Sequence, residues 1–251
     1  MSRSVVSVSI ARIYQPISLM IGELVSLNEE ASHHLASVLR AKIGDKIKIF
    51  NGQGGEFEAV ITRIAKRKIE TEILQFIPRE SESPIDIYLA QGIARGEKMD
   101  FIIQKAVELG VKKIIPLITE RCNVRLDASR EAKKVEHWQS IIVSACEQCG
   151  RNQLPIIVAP QYVTHWLKEM KMDYAFVLSP HATAKLKVEK ILPGASITLL
   201  IGPEGGLSEE EIEMAKKAGY QLLNLGPRIL RTETASLTAI SIFQYNHGDI
   251  K

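Results

Sequence analysis

Two segments beyond residue 200 carry the residue types that could do chemistry. The first is IGPEGGLSEEE, residues 201–211. SITLLI before it reads as a strand buried on both faces, and Gly202, Pro203, Glu204, Gly205 and Gly206 follow at once. Ser208 then opens a capping box with Glu211, and a helix runs on to Gly219. Glycines at the carboxyl end of a strand let main-chain N–H and C=O groups approach a ligand that a Cβ would hold away. The phosphate-loop pattern is missing, and G-x-G-x-x-G is absent from this turn. Glu204, Glu209, Glu210 and Glu211 would repel a phosphate. They would not repel a neutral ligand or one carrying a sulfonium. By itself the turn reads equally well as a tight structural connection.

The second segment is LGPRILRTETA, residues 225–235. A short strand ending at Leu223 to Leu225 meets a Gly226-Pro227 turn. Thr232 or Thr234 then caps a last helix through TASLTAISIFQYN, whose nearly continuous apolar positions predict burial. Two arginines, Arg228 and Arg231, sit with Glu233 beside that helix N-terminus. Cations at the positive end of a helix cost up to about 1 kcal/mol, so gripping a phosphate or a base would explain them. The structural alternative is an ion pair of Arg231 with Glu233 or Glu204.

Other candidate signals carry less. Cys146 and Cys149 have C-x-x-C spacing, but no second pair completes a zinc set. His33 and His34 adjoin on one helix and point to different faces, so no metal site is expected. GQGGEF, residues 52–57, reads as a hairpin loop.

Bulk properties set the frame. The 251 residues suit one large domain or a small one plus a medium one. Lys plus Arg is 32 against 29 for Asp plus Glu. That balance permits a nucleic-acid partner without demanding one, because clustering is what counts. No apolar run approaches the roughly 20 residues of a membrane span. No h-region with a small-residue cleavage site is recognisable. A cytoplasmic protein with three reduced thiols and no membrane partner is expected.

The elements that must position these segments fall into two rhythms. Residues 1–78 read as strand-rich, with one helix. Asn28 caps EEASHHLASVLRAK, with Ala31, Leu35, Val38 and Leu39 on one face. KIKIF, FEAVITRIA and RKIETEILQFI follow as three strands, suggesting a small barrel. RESESP, residues 79–84, is the predicted linker. In residues 85–251 strands alternate with helices: IDIYLAQ, a helix closed by Gly110, KKIIPLI, a long helix through EAKKVEHWQSIIVSACEQC, FVLSP and SITLLIG. That alternation predicts a mostly parallel sheet with helices on both faces.

Taken together in this order, the two segments resemble the SPOUT superfamily of RNA methyltransferases. The closer resemblance is to the family that methylates N3 of a uridine in bacterial small-subunit ribosomal RNA. It extends over nearly the whole chain: RIYQP at 12–16, HHLASVLR at 33–40, RGEKMDFIIQKAVELGV at 95–111, ERC at 120–122 and ACEQCGRNQLP at 145–155 are similar to its other blocks. The chain departs from the family pattern in several extra residues before Arg12.

The resemblance implies an α/β fold: a SPOUT domain with a deep trefoil knot, preceded by a PUA-like β-barrel that assists RNA binding. It implies a homodimer and S-adenosyl-L-methionine as cofactor. The adenosyl contacts would come from Leu178, Ile201, Gly202, Pro203, Glu204, Gly205, Gly206, Leu225, Gly226, Ile229 and Leu230. Glu233 would accept the N3 proton and Arg231 would stabilise the anionic uracil. Ribosomal RNA, free or in the small subunit, would meet Arg12, Arg40, Arg95, Lys98, Lys105, Arg121 and Arg151. Arg63, Lys66, Arg67 and Lys68 form a further cluster that reads as solvated surface. The alternatives are a knotted ribose 2′-O-methyltransferase and a non-catalytic RNA-binding assembly factor. The missing dinucleotide fingerprint counts against a nicotinamide-dependent dehydrogenase.

Overall fold

The computed structural model describes residues 10–65, 68–122, 128–169, 172–180, 182 and 191–251. Lys66, Arg67 and most of the segment before Arg12 therefore lie outside the described residues. The chain divides into two compact units, one within residues 1–81 and 146–153, the other within 82–145 and 154–251.

The smaller unit is a five-stranded sheet. Its strands are β1 (Arg12–Tyr14), β2 (Leu24–Ser26), β3 (Lys46–Phe50), β4 (Glu56–Ala65) and β5 (Lys68–Ile77), in the order β1-β3-β4-β5-β2. β1 runs parallel to β3, and every other pairing is antiparallel. The expected strands appear as β3, β4 and β5; the short edges β1 and β2 escaped the pattern because three residues hold too little alternation to read. Alternate positions Ala59 and Ile61 on β4, and Ile69 and Ile73 on β5, enter one core with Ile13, Val25, Leu35, Ile47 and Ile49.

Asn28 does cap the helix, accepting from the Ala31 N–H at 2.8 Å. The predicted long helix is shorter, however. Helix α1 (Glu29–His33) passes straight into a π-helical turn, His34–Val38. The wider turn breaks the 3.6-residue period. Ala31 and Leu35 remain buried, while Val38 and Leu39 are exposed.

The larger unit holds a seven-stranded sheet in which every pairing is parallel. Its strands are β6 (Asp86–Gly92), β7 (Val111–Ile118), β8 (Ile156–Ile157), β9 (Gln161–Tyr162), β10 (Tyr174–Leu178), β11 (Ser196–Ile201) and β12 (Gln221–Leu223). The order is β12-β10-β11-β6-β7-β8, with β9 also on β7. From β6 the chain builds outward through β7 to β8 and β9 on one side, and β10, β11 and β12 then fill the other side. The reversal falls between β6 and β11. Ligands of open parallel sheets bind at such a reversal, off the carboxyl ends of the strands.

Helices α2 (Glu97–Glu108), α3 (Ala128–Cys149), α4 (Val163–Glu169), α5 (Glu209–Lys217) and α6 (Thr232–His247) complete the order. The capping box is present: Ser208 Oγ accepts from the Glu211 N–H at 3.3 Å, and Glu211 Oε2 accepts from the Ser208 N–H at 2.9 Å. Two boundaries differ from expectation. The last strand stops at Leu223, not Leu225. The last helix starts one residue early, with Arg231 at the cap position and no side-chain cap. Thr232 cannot cap because its hydroxyl is already committed inside the fold. Among the described residues, no helix is long and apolar enough to cross a membrane.

Candidate active site

Three strand ends build one cavity of about 580 Å³. Leu178 closes β10, Ile201 closes β11 and Leu223 closes β12, and all three line it. Each strand then hands the wall to a turn: Ser179-Pro180, Gly202 to Leu207, and Asn224 to Thr232. The parallel sheet thus brings together segments that lie tens of residues apart in the chain.

All eleven residues expected to contact the cofactor line this cavity. Arg231, Lys98 and Arg121 line it too, but Glu233 does not. The walls are partly apolar, from Leu178, Ile201, Leu223, Leu225 and Leu230, and Ile229 is 87% exposed at the edge.

Two side chains fasten the walls. Asn224 Nδ2 donates to the carbonyls of Pro180 at 3.1 Å and Ala182 at 2.7 Å, while its Oδ1 accepts from the Gly226 N–H at 2.7 Å. Thr232 Oγ1 donates to the Gly202 carbonyl at 2.6 Å. Sequence reasoning passed over Asn224, for which an Asn just before a Gly-Pro turn was the available signal, and read Thr232 only as a possible helix cap.

The electrostatics differ from the acidic site expected of GPEGGLSEEE. Glu211 is buried in its capping box and also accepts from the Glu120 N–H at 2.8 Å. Glu204 accepts from the Arg95 N–H at 3.1 Å and pairs with Lys98 at 3.2 Å. Partial burial pushes the Glu204 carboxyl up, but its own N–H, that of Arg95 and the Lys98 ammonium outweigh this and hold it below the ordinary value. The cavity wall carries Lys98, Arg121, Arg228 and Arg231 against Glu204 and Glu209. Positive charge predominates, as an anionic partner requires.

Arg231 is exposed and, among the described residues, forms no ion pair with Glu204 or Glu233. Glu233 stands in the first turn of α6, half-buried, with Oε2 enclosed and lacking a hydrogen-bond partner. Arg121 is exposed and donates to the Gly205 carbonyl at 3.2 Å. Arg40 and Arg95 are exposed, and Lys105 pairs with Glu108 at 2.7 Å.

Arg12 and Arg151 stand elsewhere, in the interior of the smaller unit. Arg12 pairs with fully buried Glu56, donates to Asn152 Oδ1 at 2.8 Å and to the Arg151 carbonyl at 3.1 Å, and lies over the Phe50 ring. Burial, reinforced by the nearby Arg79 charge, lowers its pKa. Arg151 is 4% exposed. Cys146 is buried and hydrogen-bonds the Gln153 carbonyl, and none of the three cysteines is in a disulfide. Among the described residues no cluster of three or more His, Cys, Asp or Glu could hold a metal.

Residues 81–244 match a family model described as an RNA methyltransferase domain, and residues 27–74 match an RNA methyltransferase PUA domain. The chain belongs to this RNA methyltransferase family. A ribosomal RNA small subunit methyltransferase E from Buchnera aphidicola is 43% identical, spanning 96% of this chain and 98% of that one. The protein of that name from Bacillus subtilis is 33% identical over 88% of this chain and 89% of its own length. A crystal structure of a ribosomal RNA small subunit methyltransferase E from Neisseria gonorrhoeae, bound to S-adenosyl methionine, superposes with a TM-score of 0.89 at 40% identity. It covers 96% of this chain and 100% of that one. The small β domain is PUA-like, and the larger unit has the fold of SPOUT methyltransferases.

Proposed function

We propose that this protein transfers a methyl group from S-adenosyl-L-methionine to N3 of a uridine in small-subunit ribosomal RNA. The observation that carries the reading is the meeting of three strand ends around one cavity that holds every expected cofactor residue. The names of the relatives support the ribosomal RNA substrate.

The residues fit such a cofactor. Gly206 and Gly226 have φ of +72° and +113°, with no atom within 4 Å of where a Cβ would stand. That open space lets main-chain groups meet an adenosyl moiety directly. The volume falls in the range of small-molecule sites, roughly 300–1,000 Å³. Glu204 and Glu209 offer negative charge on the wall for a cationic donor.

When bound, S-adenosylmethionine supplies an activated methyl group, so the protein's part is position and electrostatics. Arg231 projects from the wall and stabilises the uracil anion as N3 loses its proton. Glu233 takes that proton after its side chain rotates towards the cavity; its enclosed oxygen is the acceptor. Arg40, Arg95, Lys98, Lys105 and Arg121 contact the RNA backbone. Arg12 and Arg151, enclosed in the smaller unit, serve that contact by holding the RNA-binding domain together.

The same reading assigns RNA binding to residues 1–78, a linker to 79–84 and catalysis to 85–251. It also carries the trefoil knot, the homodimer and a cytoplasmic location. The test is to incubate the purified protein with labelled donor and small-subunit RNA, then hydrolyse the product to nucleosides. N3-methyluridine is expected, and methyl on a ribose oxygen overturns the reading. Arg231→Ala is expected to lower turnover about 100-fold or more while donor affinity, measured calorimetrically, changes little. Normal turnover for both Arg231→Ala and Glu233→Gln removes their roles.

A further inference from the structure

Behind the cavity lies a chain of buried hydrogen bonds that the proposed chemistry does not use. Gln91 is fully buried near the end of β6. Ser236 Oγ donates to Gln91 Oε1 at 2.6 Å. Gln91 Nε2 donates to Thr232 Oγ1 at 2.9 Å and to the Gly92 carbonyl at 2.9 Å. Thr232 Oγ1 in turn donates to the Gly202 carbonyl at 2.6 Å, and Gln91 Nε2 lies 3.4 Å from that carbonyl.

The direction of the chain is fixed. A threonine hydroxyl has one proton, and the short contact to Gly202 takes it. Its oxygen must then accept, so Gln91 has to present its amide N–H, and the amide oxygen is left to accept from Ser236. The Gly92 carbonyl, which can only accept, lies on the same side and fixes this orientation of the amide, while Ser236 Oγ is also within 2.9 Å of the Thr232 carbonyl. Ser236 and Gln91 are both 0% exposed, so water cannot replace a lost bond.

The chain joins the two ligand-facing walls. Gly202 opens the first glycine turn, and Thr232 lines the cavity next to Arg231. Gly202 lies just past the end of β11 and Thr232 is the first residue of α6, so these side-chain bonds tie the strand end to the helix start where the two walls meet. Gly202 has no slack: a Cβ there would fall 2.7 Å from the Gly206 carbonyl carbon and the Leu207 nitrogen.

We propose that Gln91 is a positioning residue, which acts through the Thr232 hydroxyl to hold Gly202 and Arg231 at the spacing that methyl transfer needs. The proposal rests on the donor-binding reading above only for its consequence in catalysis. The spacing itself is a property of the ligand-free protein.

The test compares Thr232→Val, which keeps the shape and removes the hydroxyl, with Thr232→Ser, which keeps the hydroxyl. Gln91→Glu keeps shape and replaces donor by acceptor. Ser32→Ala is the control: that buried hydroxyl makes two comparable bonds in the smaller unit, to Leu27 and from Ile69. Hydrogen exchange of the ligand-free proteins is read first. Thr232→Val and Gln91→Glu should speed exchange about tenfold in residues 202–206 and 225–231 together, while Thr232→Ser stays near wild type. Ser32→Ala should lower global stability and leave those two segments unchanged. Donor affinity and turnover at saturating donor are read second. Both should fall about tenfold for Thr232→Val and recover in Thr232→Ser.

If exchange rises in only one wall, or in neither, the proposal is wrong. If exchange rises in both walls but turnover at saturating donor stays normal, the chain is structural and the positioning role is lost. Should the wild-type protein bind no S-adenosylmethionine, the donor reading fails, and the exchange comparison alone decides whether Gln91 couples the walls.

Discussion

The protein contains two glycine-rich turns of similar composition, NGQGG at 51–55 and GPEGG at 202–206, and they serve opposite ends. The first is packed shut. A Cβ on Gly55 would stand 2.3 Å from Phe76 Cζ, and one on Gly54 would stand 2.8 Å from Glu80 Oε1. The next residue, Glu56, is fully buried and gathers Arg12, Lys48 and Arg79. The second turn is packed at Gly202 and Gly205 but open at Gly206. Nothing lies within 4 Å of a Cβ on Gly206, and Glu204 remains at the wall with Lys98. At Gly54 and Gly55 the missing Cβ makes room for the protein's own side chains; at Gly206 it leaves open space on the cavity wall. Glycine content alone does not separate the two, and surroundings do.

The contrast breaks most visibly at the carboxylates. Glu56→Ala leaves the Arg12 guanidinium buried without its partner, which should cost about 3–5 kcal/mol of stability in the smaller unit. Urea melts followed by β-sheet circular dichroism would read this, and calorimetry should find donor affinity unaltered. Next comes Gly55→Ala, expected to cost about 1–3 kcal/mol because the half-exposed Phe76 ring can partly give way. Donor affinity should again be kept. Gly206→Ala should instead cost only about 1 kcal/mol of stability, from its positive φ, yet weaken the donor about tenfold or more by filling ligand space. An unchanged affinity for Gly206→Ala would put the two turns in one class. Ser208→Ala removes half of a capping box and should destabilise α5 by about 1 kcal/mol, seen as faster amide exchange in its first turn.

The smallest effect is with pH. The Glu204 carboxyl titrates below its ordinary value of 4.5, so its contribution to the open turn is complete above that value and lost as pH falls through the lower, folded one. Donor affinity followed downward from neutral pH should decline there, and Lys98→Met should move the decline up towards the ordinary carboxylate range. No comparable loss is expected if Glu204 is idle.

Much of this was legible in the chain. The strand-turn-helix at 196–217 was written in SITLLI, the glycines and the Ser208–Glu211 pair, because each feature is local. The alternation of strands and helices after residue 85 gave the parallel sheet for the same reason. What could not be read was anything requiring contact across the chain. Arg12 and Arg151 look like surface cations in sequence, yet both are enclosed in the smaller unit, Arg12 against Glu56 and Asn152. The acidic run 209–211 suggested a negative site, but Glu211 is consumed by capping and by the Glu120 N–H. Thr232 looks like a helix cap until Gly202, thirty positions earlier, claims its hydroxyl. Gln91 gave no signal at all, since an isolated Gln in an apolar strand has many uses.

The order of assembly follows from the strand order of the larger sheet. β6 sits beside β11, and the far wall of the cavity comes from β12 and α6, which leave the ribosome after everything else described above. The smaller unit is complete only once residues 146–153 have been made, and the cavity must wait longer still, for β12 and α6. A nascent chain can therefore hold a complete small unit while the cavity still lacks its far wall, and premature release yields a fragment without that wall.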